Sequence, residues 1–326
     1  MKKLVLTALV LLAAPLSLFA QVNANTIYGE DDRVDLYQVK DPVVRKLADS
    51  TVALFQGGSV TINDKTAVLA TRPYGESNGL CKDVKFYDQH EGAFCSGSLV
   101  APDVIMTAGH CVTDQDSCLS TKFVFGFSLK AEGDVPDQVP ASEVYGCSQL
   151  LGRQQENAGA DWALIKLDRP VTGHAPLRVA TSAPAKDSLL CMIGHPTGLP
   201  TKVACGKTKV RDASPEGYFV ANTDSYHGNS GSAVFSQDTG LIVGVLVRGD
   251  ADYEWNEAGQ CQIDKVFPED GGRGEDVTKI TSVPVPKTDE TVVDHPVSTP
   301  ESTRVAPIGK RLSALIESAK TARFDN

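Results

Sequence analysis

The chain has 326 residues, enough to bury one or two substantial hydrophobic cores. Its formal net charge of −10 argues against nucleic acid as a partner. Eight cysteines, an even number, are typical of an exported chain with disulfide bonds. No C-x-x-C pair occurs among them, which argues against a cysteine-based metal site.

The N-terminus has the three-part layout of a secretory signal peptide. A short basic start precedes an apolar stretch at residues 4–20, and small residues follow at Ala20 and Ala24. A membrane anchor is the alternative, because the stretch is nearly long enough to cross a bilayer. Pro15 and the small residues favour cleavage, so we expect residues 1–24 to be removed and no stable membrane anchoring afterwards.

The segment that follows, residues 25–47, is polar and charged. Residues 29–33 have the composition of a loop. The segment is therefore either a short propeptide or an extended N-terminal arm.

Short β-rich runs recur from Ser50 onwards, separated by turns that contain Gly, Pro or Asn. They lie at residues 51–55, 67–70, 96–102, 104–111, 122–127, 143–147, 161–167, 189–200 (a strand that ends in a tight turn), 218–220, 233–235, 241–249 and 277–283. Few of the segments between them have apolar residues at helical spacing. This pattern predicts an all-β barrel or sandwich.

Three polar residues stand beside these runs: His110, Asp161 and Ser230. A serine hydroxyl is a poor nucleophile at neutral pH and needs an adjacent base. The base needs a third group that fixes its tautomer and stabilises its charged form. Gly228 and Gly231 leave the Ser230 hydroxyl uncovered and let neighbouring N–H groups point at one place. The three residues therefore predict nucleophilic catalysis.

The stretches TAGHC, DWALIKL and GNSGS resemble the three signature blocks of the chymotrypsin/trypsin-like serine peptidases, over roughly residues 50–249. The form is most similar to the bacterial branch of V8-like glutamyl endopeptidases, in which GNSGS replaces GDSGG. The resemblance implies that Ser230 is the nucleophile, His110 the general base and acid, and Asp161 the orienting carboxylate. The backbone N–H groups of Gly228 and Ser230 would form the oxyanion hole.

The same resemblance implies two six-stranded antiparallel β-barrels with the active site in the cleft between them. The peptidase domain would cover residues 48–285 and divide near residue 176. The first barrel would carry His110 and Asp161, and the second would carry Ser230.

The resemblance also implies a disulfide bond between Cys95 and Cys111, which flank the strand that leads to the histidine. Cys191 and Cys205 bracket a hairpin-like stretch and form the second expected pair. The remaining four cysteines allow three connectivities that the sequence does not separate. These are Cys81, Cys118, Cys147 and Cys261.

Asp224 takes the place that forms the floor of the main specificity pocket in the resembling family. A buried carboxylate there selects Arg or Lys before the scissile bond, since other side chains leave the charge unpaired. Leu246 and Val247 would line the pocket. Cleavage after Glu is the alternative, because Arg248 follows these positions and can approach an acidic side chain.

Asn229 stands where the animal enzymes have an aspartate that pairs with a newly cut N-terminal ammonium. An amide carries no charge for such an ion pair. We therefore expect activity that does not require insertion of a freshly cut N-terminus.

The C-terminal part becomes polar beyond Cys261. Residues 286–307 are rich in Pro, Thr, Val and Asp, which predicts a linker. Apolar residues then recur at helical spacing and predict a C-terminal helix within residues 308–326. They are Ile308, Leu312, Leu315, Ile316 and Ala319.

These patterns predict a secreted or periplasmic serine endopeptidase that hydrolyses peptide bonds through an acyl-enzyme. We expect no cofactor and no metal, protein or peptide substrates as partners, and a monomeric chain. A non-catalytic, peptidase-like binding module is the rival from another class. An α/β-hydrolase is disfavoured, because that fold needs Ser, Asp and His in this chain order.

Overall fold

The structure is a computed structural model that describes residues 26–286. The expected signal peptide, the linker from residue 287 onwards and the helix at residues 308–326 lie outside the described residues. Within residues 26–286, no helix has the length and apolar composition that crossing a membrane requires.

The first half of the described chain contains three short helices and the first thirteen strands. The helices are α1 Pro42–Ala48, α2 Tyr74–Ser77 and α3 Gln115–Ser120. The strands are β1 Ile27–Tyr28, β2 Val34–Asp35, β3 Thr51–Gln56, β4 Val60–Asn63, β5 Thr66–Leu69, β6 Arg72–Pro73, β7 His90–Glu91, β8 Cys95–Ala101, β9 Val104–Thr107, β10 Thr121–Val124, β11 Gln138–Pro140, β12 Val144–Gln155 and β13 Asp161–Leu167.

Six of these strands close into an antiparallel barrel in the order β10-β12-β13-β9-β8-β3, with β3 pairing back onto β10. Apolar side chains such as Leu54, Ile105 and Ile165 fill it and are fully buried. Burying each contributes about 1.5–3 kcal/mol to stability. The first predicted barrel is confirmed.

The second half contains the remaining strands and is joined to the first by residues 168–189. The strands are β14 Leu190–Gly194, β15 Lys202–Ala204, β16 Val210–Asp212, β17 Tyr218–Ala221, β18 Ala233–Ser236, β19 Ile242–Arg248, β20 Tyr253–Asn256, β21 Cys261–Asp264, β22 Val266–Phe267 and β23 Glu275–Lys279.

The second half is built on one eight-stranded sheet in the order β16-β17-β23-β19-β18-β14-β15-β2. It forms a half-barrel, and the predicted all-β, two-barrel fold is confirmed. The sheet has two strands more than the expected six, and one of the eight is β2 from the N-terminal segment, which pairs with β15 through Val34 and Val203.

The N-terminal segment is an integral part of this half. Besides β2, strand β1 pairs in parallel with β22. Helix α1 follows, with the Asp41 carboxylate accepting the Val43 N–H at its N-cap and Pro42 in its first turn. Residues 26–48, named the N-terminal arm below, therefore pack on the body of the molecule.

Four disulfide bonds connect the eight cysteines. They are Cys81–Cys261, Cys95–Cys111, Cys118–Cys147 and Cys191–Cys205. The first joins the loop after α2 to the hairpin β20–β21, and therefore links the two halves of the molecule. Buried Tyr74, Leu80 and Leu199 pack around it.

We predict that replacing Cys81 and Cys261 by Ala lowers the free energy of unfolding by about 2–5 kcal/mol, because the bond closes a long loop in the unfolded chain. Urea unfolding followed by tryptophan fluorescence measures the change. The matched control is the double Ala variant of Cys118 and Cys147, whose bond spans only 29 residues against 180. A larger loss in the control would contradict the prediction.

Candidate active site

His110 and Asp161 meet because their strands are neighbours in the barrel. His110 follows β9, Asp161 opens β13, and the two strands pair in antiparallel register. The His110 Nδ1 atom lies 2.8 Å from Asp161 Oδ2. The imidazole is 31% exposed, whereas the carboxylate is buried. The arrangement fixes the histidine tautomer and leaves the other ring nitrogen for proton transfer.

The buried Asp161 carboxylate and backbone are satisfied by donors and acceptors from both halves. Its Oδ1 accepts the backbone N–H groups of Gly109 at 2.5 Å and His110 at 3.2 Å. The Thr278 hydroxyl on β23 accepts the Asp161 N–H at 2.9 Å and donates to its carbonyl at 2.8 Å. Sequence analysis missed Thr278, since nothing in the sequence pairs β23 with the start of β13.

Ser230 lies in the loop between β17 and β18, residues 222–232, which we call the serine loop. The residue is 7% exposed. Its carbonyl accepts the Ser96 N–H at 2.8 Å and lies 3.6 Å from Cys111 Sγ. The backbone of Ser230 is therefore beside the residue that follows His110. Within residues 26–286, no hydrogen bond engages the Ser230 hydroxyl.

Gly228 adopts a positive φ of 84°, which favours glycine. A Cβ atom there would lie 2.7 Å from both Gly198 N and His195 O. The Ser96 hydroxyl holds the Gly228 carbonyl at 2.8 Å. In the described part of the chain, the N–H groups of Gly228 and Ser230 have no acceptor, so both are available to an oxyanion.

The Asn229 side chain is buried and hydrogen-bonded within its own loop. Its Nδ2 donates to Ser225 Oγ at 3.1 Å, and its Oδ1 accepts from Ser232 Oγ at 3.2 Å. Neutral hydrogen bonds therefore hold the loop in place at this position. Activity without a freshly cut N-terminus stays a prediction.

Asp224 is covered by the N-terminal arm. Its Oδ1 accepts the Tyr28 N–H and its Oδ2 accepts the Asp32 N–H, both at 2.8 Å. The residue is only 2% exposed, and burial raises the pKa of its carboxyl well above the usual range. With the arm in this position, Asp224, the expected floor of the specificity pocket, is covered.

The Asp32 carboxyl accepts the Gly206 N–H through Oδ2 at 2.5 Å and lies near Asp224, whose Oδ2 accepts the Asp32 backbone N–H. Burial raises the pKa of Asp32 to about 6, although the Gly206 N–H favours the charged form. The negative charge of Asp32 also raises the pKa of Asp224, so the two neighbouring carboxyl groups do not readily ionise together.

Arg33 completes the contact between the arm and the body. Its buried guanidinium binds the Asp31 carboxylate through two hydrogen bonds, at 2.9 and 2.7 Å. The same group lies 4.0 Å from the centre of the Tyr226 ring. A cation over an aromatic face gains about 2 kcal/mol or more when it is desolvated. The polar composition of residues 29–33 did not indicate this burial.

The expected pocket-lining residues pack beside the serine loop. The Leu246 carbonyl accepts the Gly231 N–H at 2.8 Å, and the Leu246 N–H donates to Ser232 O at 3.0 Å. Leu246 and Val247 are both buried. The Arg248 guanidinium is bound to other groups, among them Asp276 at 3.1 Å.

His227, three residues before the serine, has a half-exposed ring whose Nδ1 hydrogen-bonds to Asp252. Partial burial opposes its charge, but the hydrogen bond and charge of Asp252 outweigh burial and raise the pKa of His227.

One group of side chains in the described residues has the spacing of a metal site: Cys95, His110 and Cys111. The two sulfur atoms are bonded to each other. They are therefore not available as thiolate ligands.

Comparisons with known proteins are consistent with this geometry. Residues 95–245 match the family described as trypsin-like peptidase domain. Human chymotrypsin-like elastase family member 3B is 32% identical over 134 residues, or 40% of this chain and 46% of that protein. Snake venom serine protease KN11 of Trimeresurus stejnegeri is 33% identical over 118 residues, or 35% and 43%.

A solved structure of a Glu endopeptidase in complex with MPD covers 78% of this chain and 95% of that one, at 17% identity and a TM-score of 0.43. The chain spans less than half the length of the two curated relatives. The matched residues 95–245 include His110, Asp161 and Ser230. The V8-like bacterial branch stays a prediction.

We predict that Asp32→Asn makes stability less dependent on pH. The folded chain holds the Asp32 proton up to about pH 6, whereas an unfolded aspartate releases it near pH 4. Wild-type stability should therefore fall as pH rises through this window. The amide of the variant carries no charge at any pH, so the free energy of unfolding of the variant should rise by on the order of 2 kcal/mol relative to wild type between pH 4 and pH 7.5.

Urea unfolding at pH 4, 5, 6 and 7.5 measures the difference. The control is Asp238→Asn, since Asp238 is exposed. Stability curves of wild type and Asp32→Asn that run parallel across this range would contradict the prediction.

Proposed function

We propose that the chain is a secreted or periplasmic serine endopeptidase that cleaves peptide bonds through an acyl-enzyme on Ser230. One observation carries the proposal. His110 is hydrogen-bonded to a buried Asp161, and beside it lies a serine loop whose Gly228 and Ser230 N–H groups have no acceptor in the described residues. This combination suits acyl transfer.

The reaction follows from the roles these groups can take. Ser230 Oγ attacks the substrate carbonyl while His110 Nε2 accepts its proton, and Asp161 stabilises the imidazolium through Nδ1. The N–H groups of Gly228 and Ser230 bind the oxyanion. His110 then protonates the leaving amine, and water, activated by the same imidazole, hydrolyses the acyl-enzyme. No step needs a cofactor.

The proposed location outside the cytoplasm has two supports. The first is the signal-peptide pattern of residues 1–24. The second is the set of four disulfide bonds, which persist in oxidising compartments.

The proposed preference is for Arg or Lys before the scissile bond, and it rests on Asp224. Because Tyr28 and Asp32 cover this carboxylate, a basic side chain reaches it only after the arm at residues 26–32 moves away. Once the carboxylate is exposed to a substrate, pairing with a guanidinium or ammonium replaces the two backbone N–H groups.

Cleavage after Glu is the second candidate. The Arg248 guanidinium is committed to Asp276 and to backbone carbonyls, so it does not serve this purpose. His227 does offer a cation, because its contact with Asp252 stabilises the imidazolium at the edge of the serine loop.

A fluorophosphonate probe should label wild-type protein at Ser230 and should not label Ser230→Ala, because only an activated serine attacks phosphorus. Hydrolysis of a peptide substrate should fall by about 10⁴–10⁶-fold in the same variant. Mass spectrometry of the labelled peptide identifies the residue. The control is Ser214→Ala, an exposed serine whose loss should leave labelling unchanged. An unlabelled wild-type chain would support a binding module.

Asp224→Asn should lose the preference for Arg and Lys in a peptide-library cleavage profile, since the amide cannot pair with a cation. We expect the ratio of kcat/KM for Arg over Gln substrates to fall by about 10–100-fold. His227→Gln is the matched variant for the second candidate. If it abolishes a preference for Glu while Asp224→Asn changes nothing, the chain is a glutamyl endopeptidase.

A further inference from the structure

Arg248, the last residue of β19, has a buried guanidinium whose three nitrogen atoms all donate hydrogen bonds. Its Nε donates to Asp276 Oδ2 at 3.1 Å. Its Nη1 donates to the Glu156 carbonyl at 2.9 Å, and its Nη2 donates to the Gly159 carbonyl at 2.7 Å. The Nη1 atom also lies 3.9 Å from Asp161 Oδ2.

The two carbonyls belong to the turn between β12 and β13, immediately before Asp161. Arg248 itself lies on the second half of the molecule, in the sheet that also carries β18 after Ser230. The guanidinium therefore ties the turn that presents the carboxylate to the half that presents the serine. Its planar fork of donors suits several fixed acceptors, which a lysine ammonium matches less well.

The charge of Arg248 faces the same carboxylate oxygen that His110 uses. Asp161 Oδ2 lies 2.8 Å from His110 Nδ1 and 3.9 Å from Arg248 Nη1. A second cation therefore lies close to this carboxylate. It competes with the imidazolium for that negative charge.

We propose that Arg248 is a positioning residue of the active site, which acts through Asp161. This inference rests on the proposed function. Arg248 fixes the place of the Asp161 carboxylate relative to the serine loop, and it sets how strongly that carboxylate stabilises the charged form of His110. No contact with substrate is needed for this role.

Other charged groups around the site differ from Arg248 in what they contact. Asp276 faces Arg248 from β23, and Arg273 binds the same Asp276 oxygen at 2.7 Å. Arg153 on β12 donates to the Gly109 carbonyl at 3.1 Å. Arg273 shares the Asp276 partner without contacting Asp161 or its turn, so it is the matched control.

The test measures kcat, KM and the pH dependence of kcat/KM for Arg248→Met, Arg248→Lys and Arg273→Met. Arg248→Met should lower kcat by about 10–100-fold with a smaller change in KM, because the carboxylate is no longer held in place. The acid-side midpoint of kcat/KM should move up by about 0.5–1 pH unit, since Asp161 then stabilises the imidazolium without competition.

Arg248→Lys keeps the positive charge, and it tests the inference if Arg248→Met does not fold. We expect its kcat to fall by about 3–10-fold, because one ammonium cannot reach all the acceptors, while its acid-side midpoint stays at the wild-type value. Arg273→Met should change neither quantity.

Wild-type kcat in Arg248→Lys would overturn the inference, as would equal losses in Arg248→Met and Arg273→Met. An unshifted acid midpoint in a folded Arg248→Met would also overturn it. The proposed function is checked separately by fluorophosphonate labelling of the wild-type chain at Ser230. If the wild type is labelled and the Arg248 variants have wild-type kinetics, this inference alone is rejected. If the wild type is not labelled, both this inference and the proposed function are rejected.

Discussion

A buried negative charge, the carboxylate of Asp161, is the constraint on which the site depends. A carboxylate removed from water is stable only when hydrogen bonds and opposite charge replace its hydration. Here Gly109 and His110 supply donors from the first barrel. Thr278 and Arg248 reach the same residue from the second half. The contacts of this one residue therefore connect the two halves of the molecule.

The serine loop is shaped by close contacts with the other barrel. Ser96, on β8, binds the Gly228 carbonyl through its hydroxyl and the Ser230 carbonyl through its N–H. These two bonds turn the loop's carbonyls toward the first barrel and leave the N–H groups of Gly228 and Ser230 without acceptors in the described residues. A side chain at position 228 would collide with the backbone near Gly198, so the loop geometry requires glycine.

The N-terminal arm connects folding with access to the expected specificity pocket. The arm adds a strand to the second sheet, places Arg33 against Tyr226 and covers Asp224. The Asp32 backbone N–H donates to Asp224, and the charge of the Asp32 carboxylate opposes ionisation of Asp224. The stability of the arm and the charge of Asp224, the expected pocket floor, are therefore coupled through this pair of residues.

The sequence alone determined the all-β class and most strand positions, because alternating apolar runs and turn residues are local signals. It also singled out His110, Asp161 and Ser230, since the short stretches around them are distinctive. Only the tertiary structure decided what surrounds them: Thr278 and Arg248 beside Asp161, and the arm over Asp224. These contacts join residues far apart in the chain. Their energy depends on burial and on the pairing of distant strands, which no local pattern encodes.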